Sequence, residues 1–201
     1  MSTERETTAA ELTVTESRRR LFEARDLALG GLLGALALVL PIAFHAAGPG
    51  AGPMFLPMYY PILALGLLAS WEVALLVGLM VPLLSAVLTG MPPLAVAPLM
   101  VVELGALGVI AALARRLGLG VWPAAVAAIV LTRVVAVLLL LTVLPLFGVT
   151  RGVAEYVIAA VTKSLPGNII ILTIVPAAVY AIERTSIIGR RHTSGAPDES
   201  E

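Results

Sequence analysis

The chain is built from long apolar blocks separated by short polar or Pro- and Gly-rich stretches. Whole blocks lack charged residues on every side, which is typical of helices in lipid rather than of helices on a soluble domain. In chain order the blocks predict helices at about 27–44, 57–70, 73–89, 98–113, 122–146 and 165–182. The second is short for a full span. We therefore expect an all-α integral membrane protein, a six-transmembrane-helix bundle at 27–183 between polar cytoplasmic tails at 1–26 and 184–201.

The last apolar block contains an expected break. A single helix over residues 152–183 would measure about 48 Å at about 1.5 Å per residue, longer than a hydrocarbon core of about 30 Å. Ser164 is suited to cap a new helix, and Pro166 is tolerated in a first helical turn. The sequence therefore predicts that helix 6 begins at Leu165, and that residues 153–163 form a short segment over or into the outer face.

Composition and charge fix the orientation. Apolar residues make up 59% of the chain and charged residues 13%, and there is no cysteine for disulfide or thiolate chemistry. Of the 13 Lys and Arg residues, ten fall on the side that holds both termini and only Arg151 falls clearly on the other. Because positive charge concentrates in the cytoplasm, both termini are expected to be cytoplasmic, and the irregular segments 45–56, 90–97 and 148–164 to face outward.

The three outward segments suggest a solute pocket. Irregular backbone at membrane depth is tolerated where it is buried in protein or lines a cavity. Glu103 and Arg133 fall inside predicted spans, where ionisable residues are costly and often functional. They are expected either to pair with each other or to contact substrate, and both can hold. Lys163 is expected either to extend to the outer interface or to reach the solute.

Further candidates lie along the same outer end. His45 is either a hydrogen-bonded structural residue or a ligand contact. An adaptable wall of thioether and aromatic side chains would suit a flat organic solute, with lipid or core packing as the alternative. The wall consists of Met54, Phe55, Met58, Tyr59, Tyr60 and Met91. Asn168, predicted in the first turn of helix 6, would offer an amide beside the positive helix end.

Helix 1 carries small residues four positions apart, namely Gly30, Gly31, Gly34 and Ala35. Such spacing lets another helix approach closely, which in lipid is a main source of association energy. The partner helix is expected either in another subunit or within this chain.

Catalytic and metal-binding patterns are missing from the sequence. It has no HExxH, no GxSxG and no GxxxxGK[ST] motif for phosphate binding. The predicted membrane region offers one His and one deep Glu on different helices, which is too few for a metal centre. The chain is therefore not expected to be an enzyme or to hold a cofactor or metal.

An ordered series of short motifs gives a resemblance. The series is GAGPMFLPMYYP at 50–61, TGMPP at 89–93, PLMVVE at 98–103, Thr132-Arg133 and LPGN at 165–168. It resembles the substrate-capture subunit, or S component, of energy-coupling factor (ECF) vitamin transporters. The resemblance implies a subunit in a bacterial or archaeal plasma membrane that binds a vitamin or related micronutrient from outside. Its implied partners are a transmembrane coupling subunit and two cytosolic ATPases.

The resemblance also assigns residues. It implies coupling-subunit contacts at Gly30, Gly31, Gly34 and Ala35. It places the solute near His45, Met58, Met91, Glu103, Arg133 and Asn168, while Met54, Tyr59 and Lys163 are solute candidates from the residue patterns above. Two other functions stay open on the residues alone: a stand-alone proton-coupled carrier that uses Glu103, and a non-transporting membrane scaffold.

Overall fold

The computed structural model describes residues 24–44, 48, 54–93, 96–146 and 153–193, and these ranges are helical apart from turns. The described helices are α1 Ala24–Phe44, α2 Tyr59–Leu68, α3 Trp71–Thr89, α4 Ala97–Arg116, α5 Val121–Leu146 and α6 Val153–Thr193. The all-α prediction is confirmed for this part of the chain.

Five of these described helices, all except α2, are long and apolar enough to cross a membrane. Helix α2 has 10 residues, which at about 1.5 Å per residue is only half of a core of about 30 Å. The expected six spans are therefore five spans and one short helix. Helix α2 is shorter than the predicted 57–70 because Pro57 and Met58 form a turn before it.

Helix α4 occupies the middle of the bundle. It contacts α2, α3 and α5, while α6 contacts α5 and α2. Half of the apolar stretch of α4 is buried, whereas only 22% of the apolar stretch of α1 is buried. Glycines make the close approach possible: a Cβ built on Gly78 of α3 would lie 2.6 Å from the Leu104 carbonyl oxygen, and one on Gly66 of α2 would lie 2.5 Å from that of Gly108. The middle of α4 is thus enclosed by other helices.

Polar contacts tie the helices together at one end, which we call the charged end. They are Ser70 N–H to Asp26 Oδ2 (2.8 Å), Arg116 Nη2 to Glu72 Oε2 (3.8 Å) and Arg115 Nη2 to Glu183 Oε1 (2.5 Å). Asp26 is buried and accepts from the backbone at the start of α3, while the Arg116–Glu72 pair is exposed. The start of α1, the α2–α3 turn, the end of α4 and α6 therefore meet here.

The predicted break in the last helix is wrong. Helix α6 runs without interruption for 41 residues and includes both Pro166 and Pro176. Residues 153–163 are therefore part of it and not a separate segment, and the helix continues to Thr193 rather than ending near 182. A proline removes one backbone hydrogen bond from a helix. Ending the helix would free several more backbone groups, and lipid contains no water to bond with them, so the continuous helix is favoured.

Candidate functional site

Side chains from three helices meet away from the charged end. Glu103 lies in the first half of α4, Arg133 near the middle of α5, and Tyr59 is the first residue of α2. Arg133 Nη1 donates to Glu103 Oε1 at 3.2 Å, and the Tyr59 hydroxyl donates to Glu103 Oε2. The guanidinium carbon of Arg133 lies 5.3 Å from the centroid of the Tyr59 ring, within cation–π range. We call this group the Tyr59–Glu103–Arg133 cluster.

The cluster confirms the expected Glu103–Arg133 pair and adds a third member. Successive helices α4 and α5 bring the two charged side chains to 3.2 Å from each other. Tyr59 was predicted as part of an apolar wall, but its hydroxyl is bonded to Glu103 inside the protein. Helix positions alone give depth along a helix and not the direction in which a side chain points, so this contact could not be read from the sequence.

The cluster contains a largely buried ion pair whose two opposite charges offset each other. The side chains of Glu103 and Arg133 are 9% and 20% exposed. Both carboxylate oxygens have donors, whereas Arg133 Nη2 is buried and has no hydrogen-bond partner among the described residues. An unpaired buried donor is costly. The arrangement can therefore offer one N–H group to an acceptor.

The backbone before α2 forms an irregular segment, Met54–Tyr59, beside the cluster. A helical turn at Met54 and Phe55 is followed by Leu56 with a positive φ of 52°, an unusual conformation for a residue with a side chain. The Tyr59 N–H then bonds to the Leu56 carbonyl oxygen at 2.9 Å. This chain reversal sets Tyr59 at the start of α2, where its ring faces Arg133.

The same segment packs directly on α6. A Cβ built on Gly167 would lie 2.5 Å from the Met54 carbonyl oxygen and 3.0 Å from the Phe55 Cα. The Phe55 ring also contacts Phe44 at the end of α1, with 5.6 Å between centroids. Gly167 is therefore needed for close packing of the segment on α6.

Asn168 follows Gly167 in the interior of α6, so its predicted place in a first helical turn is wrong. A continuous helix gives it no neighbouring positive helix end. Its Nδ2 donates to Ser164 Oγ at 3.3 Å, while its Oδ1 is buried and has no partner within the described residues. Ser164, predicted as a helix cap, instead accepts this bond one turn earlier on the same helix.

The other predicted solute contacts are placed less centrally or fall outside the described ranges. Met58 is buried in the core, while Met54 and Met91 are each 41% exposed. Lys163 lies on α6 with an exposed side chain. His45 lies outside the described residues. Of the expected outward segments, 148–164 is wrong over residues 153–164, which are helical, while residues 148–152 lie outside the described ranges. Residues 90–93 are irregular, as expected.

One polar residue beside the cluster was not assigned a role from the sequence. Thr132 is 1% exposed, and its hydroxyl is a buried group with no partner among the residues that the structure describes. The sequence pattern that could have pointed to Thr132 is its position next to Arg133 in an otherwise apolar helix.

The small residues of α1 divide between two faces. A Cβ on Gly30 would lie 2.7 Å from Val73 Cγ1, and one on Gly34 would lie 3.1 Å from Val77 Cγ1, so both pack on α3 of the same chain. Gly31 is exposed with nothing within 4 Å of its Cβ position, and Ala35 is exposed as well. Gly30 and Gly34 therefore pack against a helix of the same chain, whereas Gly31 and Ala35 are open to a helix of another subunit.

Metal ligands do not cluster in the described ranges. Within them, no group of three His, Cys, Asp or Glu side chains is placed to hold a metal ion.

Comparison with known proteins gives one family. The family model described as ECF transporter, substrate-specific component, matches residues 25–179, well over half of the chain. No curated protein and no solved structure matches the chain significantly. The matched region contains the whole Tyr59–Glu103–Arg133 cluster, Asn168 and the small residues of α1. This multi-pass membrane protein therefore belongs to the substrate-specific component family of ECF transporters, whose members are transporter subunits rather than enzymes.

Proposed function

We propose that the chain captures a vitamin or related micronutrient outside the cell and delivers it as part of an ATP-driven ECF importer. Family membership supports a substrate-specific transport subunit. The observation that carries the site is the buried Tyr59–Glu103–Arg133 cluster, in which Arg133 Nη2 has no hydrogen-bond partner among the described residues. Ionisable residues inside a membrane domain commonly mark a substrate path.

The solute binds at the end of the bundle that holds the cluster, and this end faces outward. The charged end, with Arg115 and Arg116, then lies in the cytoplasm together with both termini, in agreement with the positive-inside rule. The membrane is the plasma membrane of a bacterium or archaeon. The distance of the cluster from the charged end supports this assignment, because Glu103 lies 13 residues before Arg116, about 20 Å along α4.

The proposed binding residues surround the cluster. Glu103 and Arg133 form its polar centre, Asn168 supplies an amide from α6, and the more exposed groups act at the entrance. The full set, whose members contact the solute or hold a contacting side chain in place, is His45, Met54, Met58, Tyr59, Met91, Glu103, Arg133, Lys163 and Asn168. The contact between Gly167 and the Met54–Tyr59 segment supports a site that α2, α4, α5 and α6 build together.

Coupling uses the outer face of α1. Its exposed small residues Gly31 and Ala35 would accept a helix of the transmembrane coupling subunit, which two cytosolic ATPases drive. Gly30 and Gly34 support that face from behind through their contacts with Val73 and Val77.

Purification and mass spectrometry test the proposal. The tagged chain, expressed with the coupling subunit and ATPases of its own cell, should copurify with them and retain a small organic solute. A panel of vitamins and precursors should then contain a compound that binds saturably. A chain that retains no solute, binds nothing in the panel and copurifies with no coupling subunit would instead fit a membrane scaffold.

A stand-alone proton-coupled carrier is the second candidate, favoured by the burial of Glu103, which is 7% exposed. Uptake into liposomes separates the two functions. The chain alone should show no accumulation under a proton gradient, whereas the complete complex should accumulate solute with ATP. Accumulation by the chain alone would establish the carrier.

A further inference from the structure

Two buried polar atoms of opposite character lie on helices that the Met54–Tyr59 segment contacts. Arg133 Nη2 is a donor and Asn168 Oδ1 an acceptor, and neither has a hydrogen-bond partner among the described residues. Arg133 contacts Tyr59 at one end of the segment, while Gly167, next to Asn168, packs on Met54 and Phe55 at the other. Buried polar groups are nearly always satisfied in folded proteins, so these two indicate the groups that a bound solute supplies.

The charge of the surroundings decides what kind of group can enter. Glu103 lies 3.2 Å from Arg133 Nη1 and offsets the guanidinium charge. Lys163, another cation on this part of α6, has an exposed side chain, so its field is weakened by solvent or lipid head groups. An anion would add uncompensated charge to a largely buried pair and would lose its own hydration. An uncharged acceptor would satisfy Arg133 Nη2 without that cost.

We propose that the solute engages Arg133 and Asn168 through uncharged polar groups, an acceptor for one and an N–H or O–H donor for the other, such as amide, lactam or ureide groups supply. This inference rests on the proposed function and specifies its substrate class. The acceptor binds Arg133 Nη2, and the donor binds Asn168 Oδ1. Carboxylates and phosphates are disfavoured at Arg133 Nη2 because the side chain of Glu103 already pairs with this guanidinium group.

The roles of the three polar residues then differ. Arg133 and Asn168 touch the solute, whereas Glu103 is a positioning residue. Its Oε1 holds Arg133 Nη1 and its Oε2 accepts from Tyr59, so neither oxygen needs the solute. Glu103 acts by fixing the direction of the guanidinium group and by cancelling its charge.

A matched compound pair tests the charge rule on the wild-type protein. The pair is nicotinamide with nicotinate, in which a carboxylate replaces the amide, and both are measured at pH 7 by competition against the solute that the purified protein retains. A retained solute with uncharged donor and acceptor groups, and a neutral member that competes at least about tenfold better than its acid, support the inference. A retained solute with no uncharged donor and acceptor groups, or an acid that competes equally well, overturns it and leaves the proposed function standing. If no solute is retained and nothing competes, the proposed function fails and this inference fails with it.

A substitution at Glu103 tests the positioning role. Glu103→Gln keeps the shape and an acceptor for Tyr59 but leaves the Arg133 charge uncancelled, so the preference for the neutral member should fall by about tenfold or reverse. A general loss of affinity for both members, with their ratio unchanged, would contradict the role. Thr173→Ala, on an exposed position of the same α6, is the matched control and should leave the ratio unchanged. If the Glu103 variant does not fold, the wild-type competition still decides the inference.

Discussion

At the scale of single residues, the properties of the site come from one carboxylate with two donors. Glu103 is buried, and each of its oxygens is bound by a different helix through Tyr59 or Arg133. Removing one member of such a buried pair leaves the other charge without a partner, whereas removing both members removes the desolvation penalty as well. Stability should therefore depend on matching the charges more than on keeping them.

This asymmetry gives the first prediction. Glu103→Ala should destabilise the protein by about 3–5 kcal/mol because Arg133 would stay buried and charged. The double substitution Glu103→Leu with Arg133→Met should lower the free energy of unfolding clearly less than the sum of the losses from Glu103→Leu alone and Arg133→Met alone. Unfolding in detergent, followed by circular dichroism, measures both. Additive losses would mean that the two side chains do not depend on each other.

The Tyr59 hydroxyl gives the second prediction. Tyr59→Phe keeps the ring over Arg133 but leaves Glu103 Oε2 without this donor, which should cost about 1–3 kcal/mol. Tyr180→Phe is the matched control, since Tyr180 is exposed and its ring contact with Arg184 survives the change. The same unfolding assay compares them, and equal effects at the two positions would show that the Tyr59–Glu103 bond contributes nothing.

At the scale of helices, glycine allows the backbones of α2, α3 and α4 to touch. A methyl group on Gly78 would lie 2.6 Å from the Leu104 carbonyl oxygen and 2.9 Å from the Gly105 Cα, both of them backbone atoms that cannot rotate away. The helices would have to separate, and the shift would move α4, which carries Glu103. Packing at these glycines therefore sets the geometry of the site from a distance.

The third prediction compares two glycines in helices. Gly78→Ala should destabilise the protein by about 1–3 kcal/mol through overpacking. Gly31→Ala, where nothing lies within 4 Å of the Cβ position, should be neutral or stabilising by up to about 1 kcal/mol because alanine favours a helix. Thermal unfolding of both variants in one detergent gives the comparison, and equal stability would contradict the close α3–α4 contact.

The helices also show how far the sequence reaches. Apolar blocks predicted the order of the helices and, except for the short α2 and the long α6, their approximate ends. Two opposite charges in an apolar setting indicated the Glu103–Arg133 pair as one of two alternatives. Ser164 and Pro166 gave a wrong helix start, because a proline that would break a helix in water can be kept inside one in lipid. The reason for Gly167 lies in the Met54–Phe55 backbone, which is more than a hundred residues away in the chain. Such contacts, like the Tyr59–Glu103 bond, arise from how helices rotate about their axes, which apolar blocks do not encode.

At the scale of the whole molecule, the bundle separates two tasks by position. The Tyr59–Glu103–Arg133 cluster lies in the interior between α2, α4 and α5, while the open small-residue face lies on α1, the least buried of the five spans. Helix α1 contacts the rest of the bundle through its Gly30 and Gly34, which pack on α3, and through its Asp26 at the charged end. A change on its outer face should therefore leave the cluster intact.

The separation gives the last prediction. Gly31→Leu should lower ATP-driven uptake by the complete complex at least about tenfold, because a large side chain on the open face keeps the coupling helix away. Solute binding by the purified chain should stay at the wild-type level, since no described side chain lies within 4 Å of that Cβ position. Val87 of α3 is itself 82% exposed, so Val87→Leu controls for added bulk in lipid and should preserve uptake. Gly34→Leu should instead reduce stability and binding together, because Val77 already lies 3.1 Å from its Cβ position. Loss of binding in the Gly31 variant, or full uptake by it, would refute the division between an interior site and an outer coupling face.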